Sequence, residues 1–284
     1  NNETIKKKGQ WPWDRNTLSN EIIRMYQRGA ALVVLPILFA EQDRFGKDAA
    51  LAKTLRKTPT IIGQIPTMDD NDSGVTRGVA AVGADWSPWV YRYPGVIGPI
   101  PELAESANGV GMLVIAPEKD GVVRRLPLVI AVNGKLYPSM SMEILRMAAG
   151  DISYQIKTGV AGVEKLRIPK FKMIDTDAHG NIWLDFKWKT PVYPLHEELP
   201  DLAGKIVIVS MTASGLDSPI STPVGVVHSH DLIGSALSTM ITGRNITRPY
   251  WTDLAELGAS FSIAIVIVVM VLLLPWYFGA TFMP

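Results

Sequence analysis

Leu257 to Phe278 is a run of 22 residues without a charge. Wound as a helix rising about 1.5 Å per residue, it reaches roughly 33 Å, enough to cross the ~30 Å hydrocarbon core of a bilayer. Everything before it mixes charged, polar and apolar positions as a water-soluble fold does. The chain therefore reads as a globular part over residues 1–250 and a transmembrane helix over 255–278. Tyr250 and Trp251 fall where an interfacial aromatic belt sits. Pro275 marks a kink or hinge near the end of the span.

Composition narrows the function classes. The 28 basic and 27 acidic residues leave a net charge of +1, so no basic field for nucleic acid exists. Lys6-Lys7-Lys8 reads as a solvated helix end. The absence of cysteine excludes a disulfide framework, a thiolate zinc site and a cysteine nucleophile, and it leaves the compartment open. Asn1 to Lys8 lacks the pattern of a signal peptide and reads as a helix already under way. Both ends of the chain read as cuts.

The pattern before residue 66 is βαβ. Asp14 opens a helix running to about Arg28, with Leu18, Ile22 and Met25 on one face. Ala31 to Pro36 and Thr60 to Ile65 are apolar runs of the buried-strand type, and Asp48 to Lys57 is a helix between them. Pro66 to Asn108 is expected to be a long excursion with little regular structure. Strands resume over Gly111–Pro117 and Val122–Val132, around an Asp120-Gly121 hairpin turn. Asn133-Gly134 marks the next turn, and Ser139 caps a helix to Ala148. Residues 151–190 are β-rich, Lys205 to Ser210 is another buried strand, and Asp231 to Thr242 is a helix closed by Gly243. The fold class is α/β: a mixed, largely parallel sheet with helices on its faces and a β-rich insertion, followed by the C-terminal transmembrane helix.

Several residue groups carry candidate chemistry. Trp86, Trp89, Tyr91 and Tyr93, on the long excursion, are the candidate ligand contacts, since aromatics on a loop can line an apolar pocket. The competing reading is that they pin the loop to the sheet. His228, His230 and Asp231 are the alternative metal set: on a strand the two histidines point the same way. Read otherwise, they are a loop before a helix, with Ser229 or Asp231 as its cap. Ser214 follows a strand, where a nucleophile can sit, but no G-x-S-x-G elbow surrounds it. Asp69, Asp70 and Asp72 lack the glycine and glutamate of a calcium loop and read as a solvated acidic turn. Gly109-Val110-Gly111 lacks the third glycine of a dinucleotide loop. Arg124 and Arg125, on a strand, point to opposite faces, so one is expected to pair with an acid within the fold.

These segments resemble a known family. Gly9-Gln10-Trp11-Pro12-Trp13-Asp14-Arg15 resembles the G-x-W-P-W-x-R entry of the CHASE sensor domain of the second type, a cyclase- and histidine-kinase-associated sensory extracellular domain. Asp120-Gly121-Val122-Val123-Arg124-Arg125-Leu126-Pro127-Leu128 is similar to that family's most recognisable stretch. Tyr137 to Glu143 matches its next element, and Thr212 to Asp217 with Ser221 to Gly225 resembles its late segment. Trp11, Pro12, Trp13, Asp120, Gly121, Arg124, Arg125 and Pro127 are read as structural positions of these motifs.

The resemblance implies a bacterial extracytoplasmic sensor followed by three membrane helices and an output module, a nucleotide cyclase or a kinase. It supplies no catalytic residue and no cofactor. It sets the domain on the periplasmic side of an inner membrane, with the bilayer, an undefined small-molecule or protein ligand and a second copy of the chain as partners. The positive-inside rule points the other way, because Arg244 and Arg248 precede the apolar run and no Lys or Arg follows it. The expectation carried forward is a non-enzymatic sensor. The alternatives are a membrane-tethered metal-dependent hydrolase built on His228, His230 and Asp231, and a structural assembly subunit.

Overall fold

A computed structural model describes residues 1–77, 79–216, 218–246 and 251–273, in two units, Asn1–Thr247 and Arg248–Pro284. The first unit opens with α1 (Asn2–Lys8) and α2 (Arg15–Gln27). The Asp14 carboxylate accepts from the amides of Asn16 and Thr17 at 2.9 and 3.0 Å, which fixes where α2 starts. Leu18, Ile22 and Met25 then share its buried face, as their spacing requires. Then come β1 (Leu32–Leu38), α3 (Asp48–Lys57) and β2 (Thr60–Thr67), with β2 parallel to β1, which is the βαβ unit read from the sequence.

The excursion that follows is more ordered than its composition suggests. It contains β3 (Val79–Gly83), β4 (Arg92–Tyr93), β5 (Gly95–Ile97) and α4 (Pro101–Ser106). Gln64, wholly buried, donates its amide to the Val75 carbonyl at 2.8 Å and accepts from the Val75 N–H at 2.9 Å. A side chain thus takes the place of a ladder partner and holds the excursion to β2. Val96 donates to the Asn71 carbonyl at 2.7 Å, and Gly95 passes so close that a Cβ there would lie 2.1 Å from the Asp69 oxygen.

The chain returns through β6 (Gly109–Met112), β7 (Arg125–Pro127), β8 (Val129–Val132), β9 (Lys135–Pro138) and α5 (Met140–Ala148). Next are β10 (Tyr154–Gly159), β11 (Gly162–Ile168), β12 (Lys172–Asp175) and β13 (Asn181–Trp183). The unit ends with β14 (Ile206–Ile208), β15 (Ile220–Thr222), β16 (Gly225–Val227) and α6 (Ser229–Thr242).

The central sheet runs β14-β1-β2, all parallel. The far side of β2 pairs with parallel β6 along its first half and with antiparallel β5 along its second. Alternation sorts the core. Val33, Leu35 and Ile62 face the layer holding α2, α3 and α4, while Leu32, Val34 and Ile61 face α5 and α6. The β-rich part, β12-β11-β10-β3 with the β13-β7 pair and β4-β8-β9, packs into the second of these layers, chiefly through Ile156, Leu166 and Ile182.

Three local expectations need correction. The first strand after the excursion is Gly109–Met112, not Gly111–Pro117. The stretch Val122–Val132 is two strands in different sheets, parted at Leu128. The turn at Asp120-Gly121 forms, with Gly121 at φ 77° and its N–H on the Glu118 carbonyl at 2.8 Å, but its flanks do not pair as a hairpin: β6 pairs with β2, and β7 with β13. The Asn133-Gly134 turn does close the β8-β9 hairpin, with φ of 48° and 73° at its two residues.

The second unit contains α7 (Thr252–Leu273), 22 residues long and apolar enough to cross a membrane, with a mean hydropathy of 2.5 in its apolar window. None of that window is buried against protein. Arg248, Pro249, Tyr250, Pro275 and the end of the expected span at Phe278 lie outside the described residues.

Candidate functional site

Lys205 to Ser210, expected to be a buried strand, is only half-buried, and the reason is a cavity of about 280 Å³ that wraps this edge of the central sheet. Among the described residues, edge strand β14 pairs with β1 alone. Residues 190–195, a strap that forms no strand, line the same cavity. The strap is fixed from beneath: Arg24 donates to the Leu195 carbonyl, and the neighbouring His196 ring bonds the Thr4 hydroxyl at 2.8 Å.

Trp11 and Trp13 form one wall. Their rings meet edge-on at 5.6 Å and 68°, and the Trp13 indole N–H donates to the Gly9 carbonyl at 2.9 Å. An edge-on pair is a favoured aromatic geometry. Both rings are only part-buried, so the motif read as structural also presents apolar surface to the cavity.

One end of the cavity is polar. His230 lies in the first turn of α6, 6% exposed, and its Nδ1 is 2.9 Å from the hydroxyl of Ser210, two residues beyond β14. Gly234 is one turn further on the same face of α6, and the Thr190 hydroxyl rests against it, 2.3 Å from where a Cβ would stand. That hydroxyl is buried without a hydrogen-bond partner among the described residues. Among the described residues the lining contains no Asp or Glu, and Lys205, near the opposite end of the strand, is the one Lys or Arg among them. Such a space can hold a compact apolar molecule and orient it from one end.

The residues singled out from the sequence lie mostly elsewhere. Trp86 and Trp89 pack part-buried on the core layer of α5 and α6, while Tyr91 and Tyr93 pack on a smaller cluster around Ile130 and Tyr137. His179 sits against Trp89 and Tyr91 at 6.2 and 5.9 Å, with its Nδ1 2.7 Å from the Trp89 carbonyl oxygen. These contacts tie the aromatic loop to the β12–β13 turn. Trp86 also borders a wider, shallower hollow of about 330 Å³ with Val79 and Leu136. The polar groups there are spent: Thr76 donates to the Leu136 carbonyl, and Lys135 pairs with Asp72 at 3.4 Å.

Arg124 and Arg125 do not diverge as expected. Arg124 lies just before β7, and both guanidiniums reach the same carboxylate, Glu118, at 2.8 and 3.1 Å. Arg124 also grips Asp120 through two bonds of 3.1 and 2.8 Å, and Arg125 reaches Asp177 at 3.1 Å. The Arg124 hydrogen bonds hold the Asp120 carboxyl down at about 2. Both arginines therefore brace the motif instead of one.

His228 and His230 are not on a strand. His228 caps α6, with its N–H on the Asp231 carboxylate at 3.4 Å, and the two imidazoles stack at 5.7 Å. Among the described residues no three His, Asp or Glu side chains converge as metal ligands. Ser214 lies on an exposed turn, its hydroxyl accepting from Asn2 at 3.1 Å. Asp69, Asp70 and Asp72 are solvent-exposed, and Gly109 to Gly111 lie in β6.

A family model of the CHASE2 domain matches residues 1–274. The chain belongs to the CHASE2 family. CHASE2 domains are sensory extracellular domains, often part of signalling receptors, and this family with one apolar C-terminal helix points to a membrane-anchored protein. No curated protein and no solved structure matches the chain. Sequence reading missed Thr190, Ser210 and the strap in this CHASE2 domain. The available signal was Thr190-Pro191-Val192-Tyr193-Pro194-Leu195, an apolar run with two prolines that reads as neither helix nor strand.

Proposed function

We propose that this CHASE2 domain is the extracytoplasmic sensor of a bacterial inner-membrane receptor, and that α6 carries its change of state toward α7 and an output module, a nucleotide cyclase or a kinase. The observation that supports this reading best is the seat of α6. Its first turn holds His230 against Ser210 at the cavity, and its last turn ends at Thr242, a short stretch of chain before α7 begins at Thr252. Lys172 donates to the Ile241 carbonyl at 2.9 Å, so the outgoing end of α6 is also held by the β-rich part. A packed helix moves as a rigid element, so a shift at its first turn reaches its last turn and loads the Lys172 contact there.

A sensor works only if its two states differ in free energy of interaction with a ligand or partner. Ser210→Ala removes the bond between sheet edge and helix while leaving the core untouched. In the full receptor in membranes, Ser210→Ala is expected to shift basal output, read as cyclic nucleotide formation or phosphotransfer, with expression unchanged. Output identical to the parent across the stimulus range contradicts coupling through α6.

A further inference from the structure

We propose that the cavity beside β14 is a binding site for a compact, uncharged, mainly apolar molecule carrying one hydrogen-bonding group, such as an aromatic or short aliphatic alcohol or ketone. The proposal takes from the sensory reading only that the domain has a ligand, and it is tested by binding alone.

Size comes first. A dry cavity of about 150 Å³ holds a benzene-sized molecule, so about 280 Å³ accommodates a ring with a short substituent, or an aliphatic chain of similar bulk. Charge comes next. An ammonium entering this space meets no carboxylate among the described lining residues, and an unpaired buried charge is strongly disfavoured. A carboxylate seated at the polar end faces Ser210 and His230, while Lys205 lies at the other end of the strand, so an anion gains no lysine partner there. A neutral head suits this end. The Ser210 hydroxyl has one donor and two acceptor positions, and its bond with His230 uses one of them. The apolar body then rests on Trp11, Trp13 and the side chains of β14.

Two methionines make the site observable in the full chain. Met25 and Met211 line the cavity, and Met68 is 79% exposed and takes no part in it. With the chain in lipid nanodiscs and its methionine methyls labelled with carbon-13, benzyl alcohol, benzoate and benzylamine are titrated as three heads on one body. The expected result is saturable shifts at Met25 and Met211 with benzyl alcohol, weaker ones with benzoate, and none with benzylamine. Ser210→Ala is expected to weaken benzyl alcohol about fivefold while leaving toluene unchanged. Ala213→Phe, which places a ring in the cavity, is expected to abolish both. Linear shifts shared by Met68 mean partition into lipid only and overturn the proposal. So do equal affinities for alcohol and amine, or binding that survives Ala213→Phe in a variant whose remaining spectrum matches the parent. Binding without any change in receptor output refutes the sensory reading and leaves the site standing. A stimulus-dependent output in a receptor that fails these titrations does the reverse.

Discussion

The buried ion pair between Glu143 and Arg146 shows how much a single glycine can decide. The guanidinium grips the carboxylate through two bonds of 2.9 and 2.7 Å, with the side chains 4% and 8% exposed. Arg146 also donates to the Asp151 carbonyl and lies over the Tyr154 ring. Gly109 makes the room: a Cβ there would stand 2.3 Å from a Glu143 oxygen. Glu143→Ala leaves a buried arginine uncompensated and is expected to cost about 3–5 kcal/mol, measurable by denaturant unfolding. From the sequence, Glu143 was legible only as a first-turn residue of a capped helix. Its partner on the same helix was in plain reach, but its burial depends on β6 passing overhead, which no local pattern encodes. Asp120 offers a second test. Its carboxyl is held at about 2 by Arg124, below the ordinary 3.8. A depressed carboxyl favours the folded form above the ordinary value, and that contribution fades as pH falls toward 2. Carbon-detected titration of Asp120 is expected to give a midpoint near 2, and Arg124→Gln to return it toward the ordinary value.

At the scale of elements, what was legible is what is local. The α2 start at Asp14 and the α5 cap at Ser139 rest on side chains within four residues of the backbone groups they serve, and the Asn133-Gly134 hairpin rests on the positive φ of its two turn residues. Asp14→Ala is expected to destabilise the domain by about 1 kcal/mol, seen as a lower denaturation midpoint with an unchanged slope. What failed was pairing across distance. The Asp120-Gly121 turn forms, yet β7 finds β13, more than fifty residues along the chain. The excursion after Pro66 looked unstructured because its order comes from Gln64 and from close backbone approaches at Gly95, neither of which has a periodic signature. For the candidate site, Trp11 and Trp13 were visible as a motif and His230 as a member of a histidine cluster. The hydroxyls of Ser210 and Thr190 join them only once the edge of the sheet is folded.

At the scale of the whole molecule, two facts frame the function. The first unit is a folded α/β domain of the CHASE2 family. The second contains a helix whose large apolar side chains, among them Phe261, Ile263, Val269 and Leu272, are exposed. Leaving each such side chain in water forgoes about 1.5–3 kcal/mol, so α7 calls for a bilayer or a protein partner around it. The CHASE2 family is a sensory extracellular one, which makes the side of the membrane the point on which the sensory account turns. This chain has no cysteine, so once any cysteine elsewhere in the full receptor is replaced, one introduced cysteine is a unique label. Val160, in the β10–β11 turn, is 95% exposed and carries no packing role. In intact cells expressing Val160→Cys in the full receptor, a membrane-impermeant maleimide applied from outside (with the outer membrane permeabilised if there is one) is expected to label the protein fully. Labelling that occurs only after the inner membrane is ruptured would place the domain in the cytoplasm and contradict the account.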